Sequence, residues 1–209
     1  MPLLLYHAID DHIFGQKELF VSPGEFEKQM KYLYDQGYTT LTFSNIHDAY
    51  QYKKPILITF DDGYRDVYQY AYPILKKFHL KATVFLVAGL VDNPEFITRK
   101  EIREMSDVFS FESHTLNHPK LDSLNRLKIE EECKKSKEII EGITGKTVNA
   151  LSFPYGRYNK DTLDIAKKYY KYGVTTNFGT FRSNDSKYEI KRIYITLLDT
   201  MEAFKKKIQ

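Results

Sequence analysis

Residues 55–63 read Pro-Ile-Leu-Ile-Thr-Phe-Asp-Asp-Gly and join an apolar run to two adjacent carboxylates. The apolar half is typical of a buried strand, and the glycine is typical of the turn after it. Two carboxylates at the end of a buried strand lose hydration, which is unfavourable unless a nearby charge compensates them. We therefore expect a cation beside Asp61 and Asp62, and a metal ion is the natural candidate.

The rest of the chain repeats this strand pattern, with longer amphipathic stretches between the apolar runs. That alternation is typical of β-α units. No Gly-rich phosphate loop marks the switch point of an open doubly wound sheet. We therefore predict an α/β fold, a distorted (β/α) barrel of about seven strands that forms a single domain over residues 1–209. Strands are predicted at 3–6, 39–42, 56–60, 82–88, 108–112, 148–153, 173–176 and 190–195.

Helix signals lie between these strands. Ser22 is a predicted N-cap, because Pro23 and Glu25 follow it at the positions that favour a helix start. Thr98 and Glu101 form a second capping box. Helices are predicted from Pro23 to Gly37, 65–78, Thr98 to about Ser106, 123–141 and 161–171. The predicted buried positions of the 123–141 helix are Leu127, Cys133, Ile139 and Ile140.

The composition predicts neither a nucleic-acid partner nor a membrane span. The chain is 42% hydrophobic and 28% charged, with a net charge of +3. Its basic residues are scattered apart from the run 205–207, which we interpret as a solvated tail. The N-terminus has neither a basic n-region nor an apolar run long enough for a signal peptide. We therefore expect a soluble chain without an export signal.

Two imidazoles stand four residues apart in the segment 114–119, His-Thr-Leu-Asn-His-Pro. Functional residues of a (β/α) barrel follow its strands, and both the Asp pair and His114 do so. Two His and one carboxylate leave coordination positions open, which is typical of a catalytic metal site. The same set suits Zn²⁺ or non-haem Fe²⁺. Since only one aspartate is needed as a ligand, the other is placed to take a proton from water.

Three segments together resemble the first three motifs of the polysaccharide deacetylases of carbohydrate esterase family 4. They are 59–63, 114–119 and 153–156, the last reading Phe-Pro-Tyr-Gly, and the likeness covers most of the chain. It implies a metal-dependent hydrolase that removes N-acetyl groups from N-acetylglucosamine units of a polysaccharide or oligosaccharide and releases acetate. It also implies an acetylated glycan as partner and a divalent metal, Zn²⁺ first, with Co²⁺, Ni²⁺ or Fe²⁺ as alternatives.

The resemblance assigns a role to each motif residue. Asp61 would be the general base, and the third motif would line the groove through Pro154 and Tyr155, with the Tyr155 N–H donating to the oxyanion. Tyr64 and Tyr155 could also stack against a sugar ring. The implied metal ligands are Asp62, His114 and His118.

Three family features are missing. Ser152 stands where an arginine usually accompanies the base, so Arg157 or Arg192 would have to replace it. The chain has no Trp for the fourth motif and no Leu-x-His near its C-terminus. Residues 5–7, Leu-Tyr-His, have that form at the other end, as in the permuted deacetylases of poly-β-1,6-N-acetylglucosamine. His7 would then be the general acid, since the first and last strands of a closed barrel are neighbours.

Other activities are compatible with the same residues. An O-acetyl xylan esterase or a non-sugar amidase would use the same site, and the missing Arg and Trp would also suit an inactive carbohydrate-binding homologue. The sequence does not specify the glycan linkage or the oligomeric state. An extracellular or cell-surface location is expected if a leader was removed, and a cytoplasmic one otherwise.

Overall fold

The structure is a computed structural model that describes residues 1–13 and 16–208. The strands within these residues are β1 (Leu3–Tyr6), β2 (Ala8–Ile9), β3 (Phe20–Val21), β4 (Thr39–Leu41), β5 (Pro55–Phe60), β6 (Ala82–Leu86), β7 (Phe109–Ser113), β8 (Ala150–Ser152), β9 (Tyr172–Phe178) and β10 (Ile190–Tyr194). The α-helices are α1 (Pro23–Asp35), α2 (Tyr72–Lys77), α3 (Arg99–Glu104), α4 (Arg126–Thr144), α5 (Lys160–Tyr169) and α6 (Met201–Ile208).

Seven parallel strands close into a barrel, in the order β1-β10-β9-β8-β7-β6-β5 and back to β1. Strand β1 closes the ring because it pairs with both β5 and β10. Strand β4 joins the first half of β5 as an additional strand. The predicted distorted barrel of about seven strands is confirmed, and so is the adjacency of its first and last strands.

The barrel has an inner and an outer apolar layer. Phe85 and Val174 belong to the inner cluster, whereas Ile58 and Phe111 belong to the outer cluster between strands and helices. Side chains alternate along a strand, so each strand supplies both layers. No helix of the described residues is apolar and long enough to cross a membrane.

The capping signals place two helix starts correctly. The Ser22 hydroxyl accepts a hydrogen bond from the Glu25 N–H at 3.2 Å, and Thr98 forms a full capping box with Glu101. The predicted start of α4 at Ser123 is wrong, because Asn125 caps the helix by accepting from the Lys128 N–H. The predicted burial of Leu127 is also wrong, since this side chain in the first turn is 79% exposed.

Two further helical predictions need correction. The 65–78 segment is not one regular helix, because a π-helical turn at 67–71 precedes α2. Pro73 lacks the N–H that a continuous helix would use. Residues 205–207, interpreted as a solvated tail, lie on α6, which buries Phe204 and Ile208, although Lys205 and Lys206 are exposed as expected.

Candidate active site

Asp61, directly after β5, is held by a buried arginine from β10. The two terminal nitrogens of Arg192 donate to the two Asp61 oxygens at 2.7 Å each. Arg192 also donates to the Ser152 hydroxyl and the Thr175 carbonyl, both at 2.9 Å. Arg157 does not reach this site and instead bonds Asp122 at the surface. Arg192 and not Arg157 is therefore the arginine beside Asp61, next to Ser152.

The charge of Asp61 follows from this pairing. Burial alone would raise its pKa, but the Arg192 charge and hydrogen bonds, with a contribution from His114, hold the pKa below its ordinary range. Asp61 is therefore a carboxylate at neutral pH. Burial and the neighbouring Asp61 charge instead raise the pKa of Asp62 to about 7, against a hydrogen bond from Tyr64. Asp62 is therefore partly protonated near neutral pH when no cation is beside it.

Asp62, His114 and His118 bring three donor atoms together. The Asp62 Oδ1 lies 3.5 Å from His114 Nε2 and 3.4 Å from His118 Nε2, and the two nitrogens are 3.2 Å apart. These distances match the edge of about 3.3 Å that a tetrahedron with Zn–N bonds of about 2.05 Å requires. His114 Nδ1 donates to the Ser152 carbonyl at 2.8 Å, which leaves the Nε2 lone pair free. The residues present fit a divalent cation.

The two imidazoles converge because the chain between them reverses sharply. Thr115 and His118 both have positive φ, at 67° and 59°. This conformation is uncommon for any non-glycine residue and unfavourable for a β-branched one. The Thr115 hydroxyl stabilises the reversal by accepting from the His118 N–H at 3.0 Å. The four-residue spacing therefore acts through a tight turn and not through a helix.

The turn after β8 forms one wall of the site. Tyr155 has φ of 58°, is 58% exposed, and places its ring 4.5 Å from that of His118. Gly156 follows with φ of 65°, and a Cβ there would lie 2.0 Å from the Thr176 hydroxyl. Pro154 is buried and is not among the residues that line the cleft. Of this motif, only Tyr155 is available to a substrate in the cleft.

A cleft of about 710 Å³ opens above Asp62, His114 and His118, which together form the candidate metal-ligand group. His7, directly after β1, lines it beside Asp61, and its ring lies 5.4 Å from that of Tyr194. Burial lowers the pKa of His7 to about 4, and its Nδ1 has no hydrogen-bond partner within residues 1–13 and 16–208. Tyr64 and Phe96 also line the cleft, and their rings stack with centroids 5.3 Å apart. The cleft thus combines titratable groups with flat aromatic surfaces.

The structure brings most of the sequence-predicted site residues to this cleft. Those that line it are His7, Asp61, Asp62, Tyr64, His114, His118 and Tyr155. Sequence reasoning missed Tyr194 and Phe96. Tyr194 ends the last barrel strand, a rim position that could have been recognised. Phe96 lies far from any strand end, and no sequence signal marked it.

Comparison with known proteins gives one family. The family model described as polysaccharide deacetylase matches residues 48–174. The poly-β-1,6-N-acetyl-D-glucosamine N-deacetylase of Staphylococcus aureus is 32% identical over 203 residues, which cover 86% of this chain and 69% of the relative. The segment matched by the family model, 48–174, contains the Asp pair, both imidazoles and the Tyr155 turn, but not His7 or Arg192.

Solved structures agree over the whole chain. A polysaccharide deacetylase from Bacillus cereus is 40% identical with a TM-score of 0.95, and the match covers 100% of this chain and 68% of that one. The Streptococcus pyogenes deacetylase PplD in complex with acetate is 34% identical with a TM-score of 0.93, covering 100% and 98%. These matches include the strands that carry His7 and Arg192.

Proposed function

Because this chain belongs to the polysaccharide deacetylase family, we propose that it is a metal-dependent hydrolase that removes N-acetyl groups from N-acetylglucosamine units of a glycan and releases acetate. One observation carries the proposal: a metal-ligand group and an arginine-held carboxylate meet in one cleft. The S. aureus relative, named for N-deacetylation of a β-1,6-linked polymer, supports the substrate class.

Asp62, His114 and His118 would hold the divalent cation, and two imidazoles with one carboxylate favour Zn²⁺. A cation bound there supplies Lewis-acid polarisation of the acetyl carbonyl and of water. The Ser152 carbonyl fixes the His114 tautomer, and the turn after Thr115 brings His118 to the same point. This set leaves coordination positions for the reactants.

Asp61 is the proposed general base. Its bidentate pair with Arg192 keeps it ionised and fixes its orientation in the cleft. It takes one proton from the attacking water, whose oxygen then bonds to the acetyl carbon. The Tyr155 backbone N–H is proposed to stabilise the resulting oxyanion, since its turn stands against His118.

His7 is the proposed general acid. It lies on the side of the cleft next to Asp61 and Tyr194, where it can reach a departing nitrogen. The C–N bond breaks as the nitrogen receives a proton from His7, and acetate and an amino sugar leave. Because burial keeps the His7 pKa near 4 in the free protein, its ring has to gain that proton within the substrate complex.

The test is acetate release by Asp61→Asn, measured on chitooligosaccharides, β-1,6-linked N-acetylglucosamine oligomers and acetylated xylan. We expect a loss of about 10²–10⁴-fold, because general base catalysis contributes about that much. Metal content should stay at the wild-type level, whereas Asp62→Asn should lower it. Near wild-type turnover in Asp61→Asn would contradict the base assignment.

The same panel separates the other activities. Release from xylan alone would support an O-acetyl esterase, and glycan binding without acetate release would support an inactive homologue. The structure gives the inactive homologue less support than the sequence did, since Arg192 supplies the guanidinium that Ser152 cannot.

A further inference from the structure

Glu132, on α4, holds the loop between the two proposed imidazole ligands. Its Oε2 accepts from the Leu116 N–H at 3.0 Å and from the Asn117 N–H at 2.8 Å. Its Oε1 accepts from the Asn117 side-chain amide at 2.8 Å. The residue is only 9% exposed. The nearly buried carboxylate of Glu132 thus accepts hydrogen bonds from three N–H donors of this loop.

The opposite side of this loop rests on backbone. The N–H groups of Ala88 and Gly89 donate to the carbonyls of Thr115 and Leu116 at 3.0 and 2.8 Å. A Cβ on Gly89 would lie 2.7 Å from the Leu116 carbonyl oxygen, so the contact is close. The loop is therefore clamped between the residues after β6 and the carboxylate of Glu132. Glu132 is the side of the clamp that a substitution can remove.

The clamp matters because the loop is strained. Positive φ at Thr115 and His118 persists only where the surroundings impose it. His114 has its own anchor in the Ser152 carbonyl, whereas the position of His118 follows from the course of the loop. We propose that Glu132 is a positioning residue that places His118 Nε2 and so determines the divalent-metal affinity. This inference rests on the metal site of the proposed function.

The experiment is a Co²⁺ titration of the metal-free full chain, followed by visible absorption, whose bands report coordination geometry. We expect Glu132→Ala and Glu132→Gln to bind Co²⁺ about 10–100-fold more weakly and with altered bands, as for other residues that orient metal ligands. Glu131→Gln is the matched control. Glu131 lies on the same helix but pairs with Lys128 and Lys135 at the surface, so its loss should change neither affinity nor bands.

Two outcomes separate this inference from the function it rests on. A wild-type chain that binds no Co²⁺ overturns the metal site and the role of Glu132 together. Wild-type affinity and bands in folded Glu132→Gln overturn the role of Glu132 alone, even if thermal unfolding shows lower stability. Glu132→Gln keeps the side-chain size and one acceptor oxygen, so it serves as the variant to score if Glu132→Ala fails to fold.

Discussion

Asp61 and Glu112 are both buried carboxylates in the barrel, yet they are held in opposite ways. Asp61 lies directly after β5, at the carboxyl end of the barrel strands, against the Arg192 guanidinium. Glu112 lies within β7, in register with Phe85 of β6. The centroid of the Phe85 ring is 5.6 Å from the Arg192 Cζ. The Glu112 Oε2 accepts from the N–H groups of Asn149 and Ala150, at 2.6 and 2.8 Å. No lysine or arginine nitrogen of the described residues lies within 4 Å of it.

This difference decides the charge of each group. Burial raises the pKa of Glu112 to about 8, because two backbone hydrogen bonds only partly offset the lost hydration. The pKa of Asp61 is held below its ordinary range by Arg192. Burial without a counterion therefore keeps Glu112 protonated at neutral pH, whereas Arg192 keeps the equally buried Asp61 ionised. The Asp61–Arg192 pair lies at the end of the barrel where the cleft opens.

The largest expected effect comes from breaking the charged pair. Arg192→Leu leaves Asp61 buried without a counterion, and we expect the free energy of unfolding to fall by about 3–5 kcal/mol. Acetate release should be lost as well. Denaturant unfolding measures the first effect. The double variant Asp61→Asn/Arg192→Leu should recover part of the stability without the activity.

Arg157→Ala is the control for this prediction. Arg157 is exposed and pairs only with Asp122 at the surface, so its removal should leave both unfolding and activity nearly unchanged. Equal destabilisation by the two arginine substitutions would contradict the special position of Arg192.

His7 sharpens the comparison, because it is a partly buried titratable group whose Nδ1 has no hydrogen-bond partner among the described residues. We expect His7→Ala to lower acetate release from N-acetylglucosamine oligomers by about 100-fold or more. The loss on 4-nitrophenyl acetate should be much smaller, since nitrophenolate leaves without a proton. Equal losses on the two substrates would rule out the general acid role.

The smallest effect concerns Glu112 and appears in the pH dependence of stability. The folded chain keeps the Glu112 proton up to about pH 8, whereas the ordinary value is 4.5. Stability from this group therefore falls as pH rises between these values, with a slope of at most about 1.4 kcal/mol per pH unit. Glu112→Gln keeps the acceptor oxygen and should become steadily more stable relative to wild type from pH 5 to pH 8. A constant difference would contradict a neutral Glu112.

The barrel was predictable because its signals are local. Apolar runs locate the strands, and Ser22 and Thr98 locate helix starts through their own hydrogen bonds. The predicted burial of Leu127 was wrong because helical periodicity does not show that the first turn of α4 faces solvent. Helix α6 was missed because three lysines mask the burial of Phe204 and Ile208.

The site was predictable where its residues lie in motifs, and less so where they meet across the barrel. The Asp pair and both imidazoles could be located by their place after strands. The choice between Arg157 and Arg192 needed the reach of a side chain through the interior. Nothing in the sequence indicated that Glu112 is buried, because a charged residue between Phe111 and Ser113 is expected to face solvent. Glu132 was likewise hidden among the charges of α4.

The Asp61–Arg192 pair joins positions 131 residues apart, and this separation matters while the chain is being made. Synthesis proceeds from the N-terminus, so the carboxylate and all three proposed metal ligands emerge well before β10. Strand β1 also waits for β10 to complete the ring. Such long-range pairings form late in folding. Asp61 therefore acquires its counterion in the same step that closes the barrel, after the three proposed metal ligands have been synthesised.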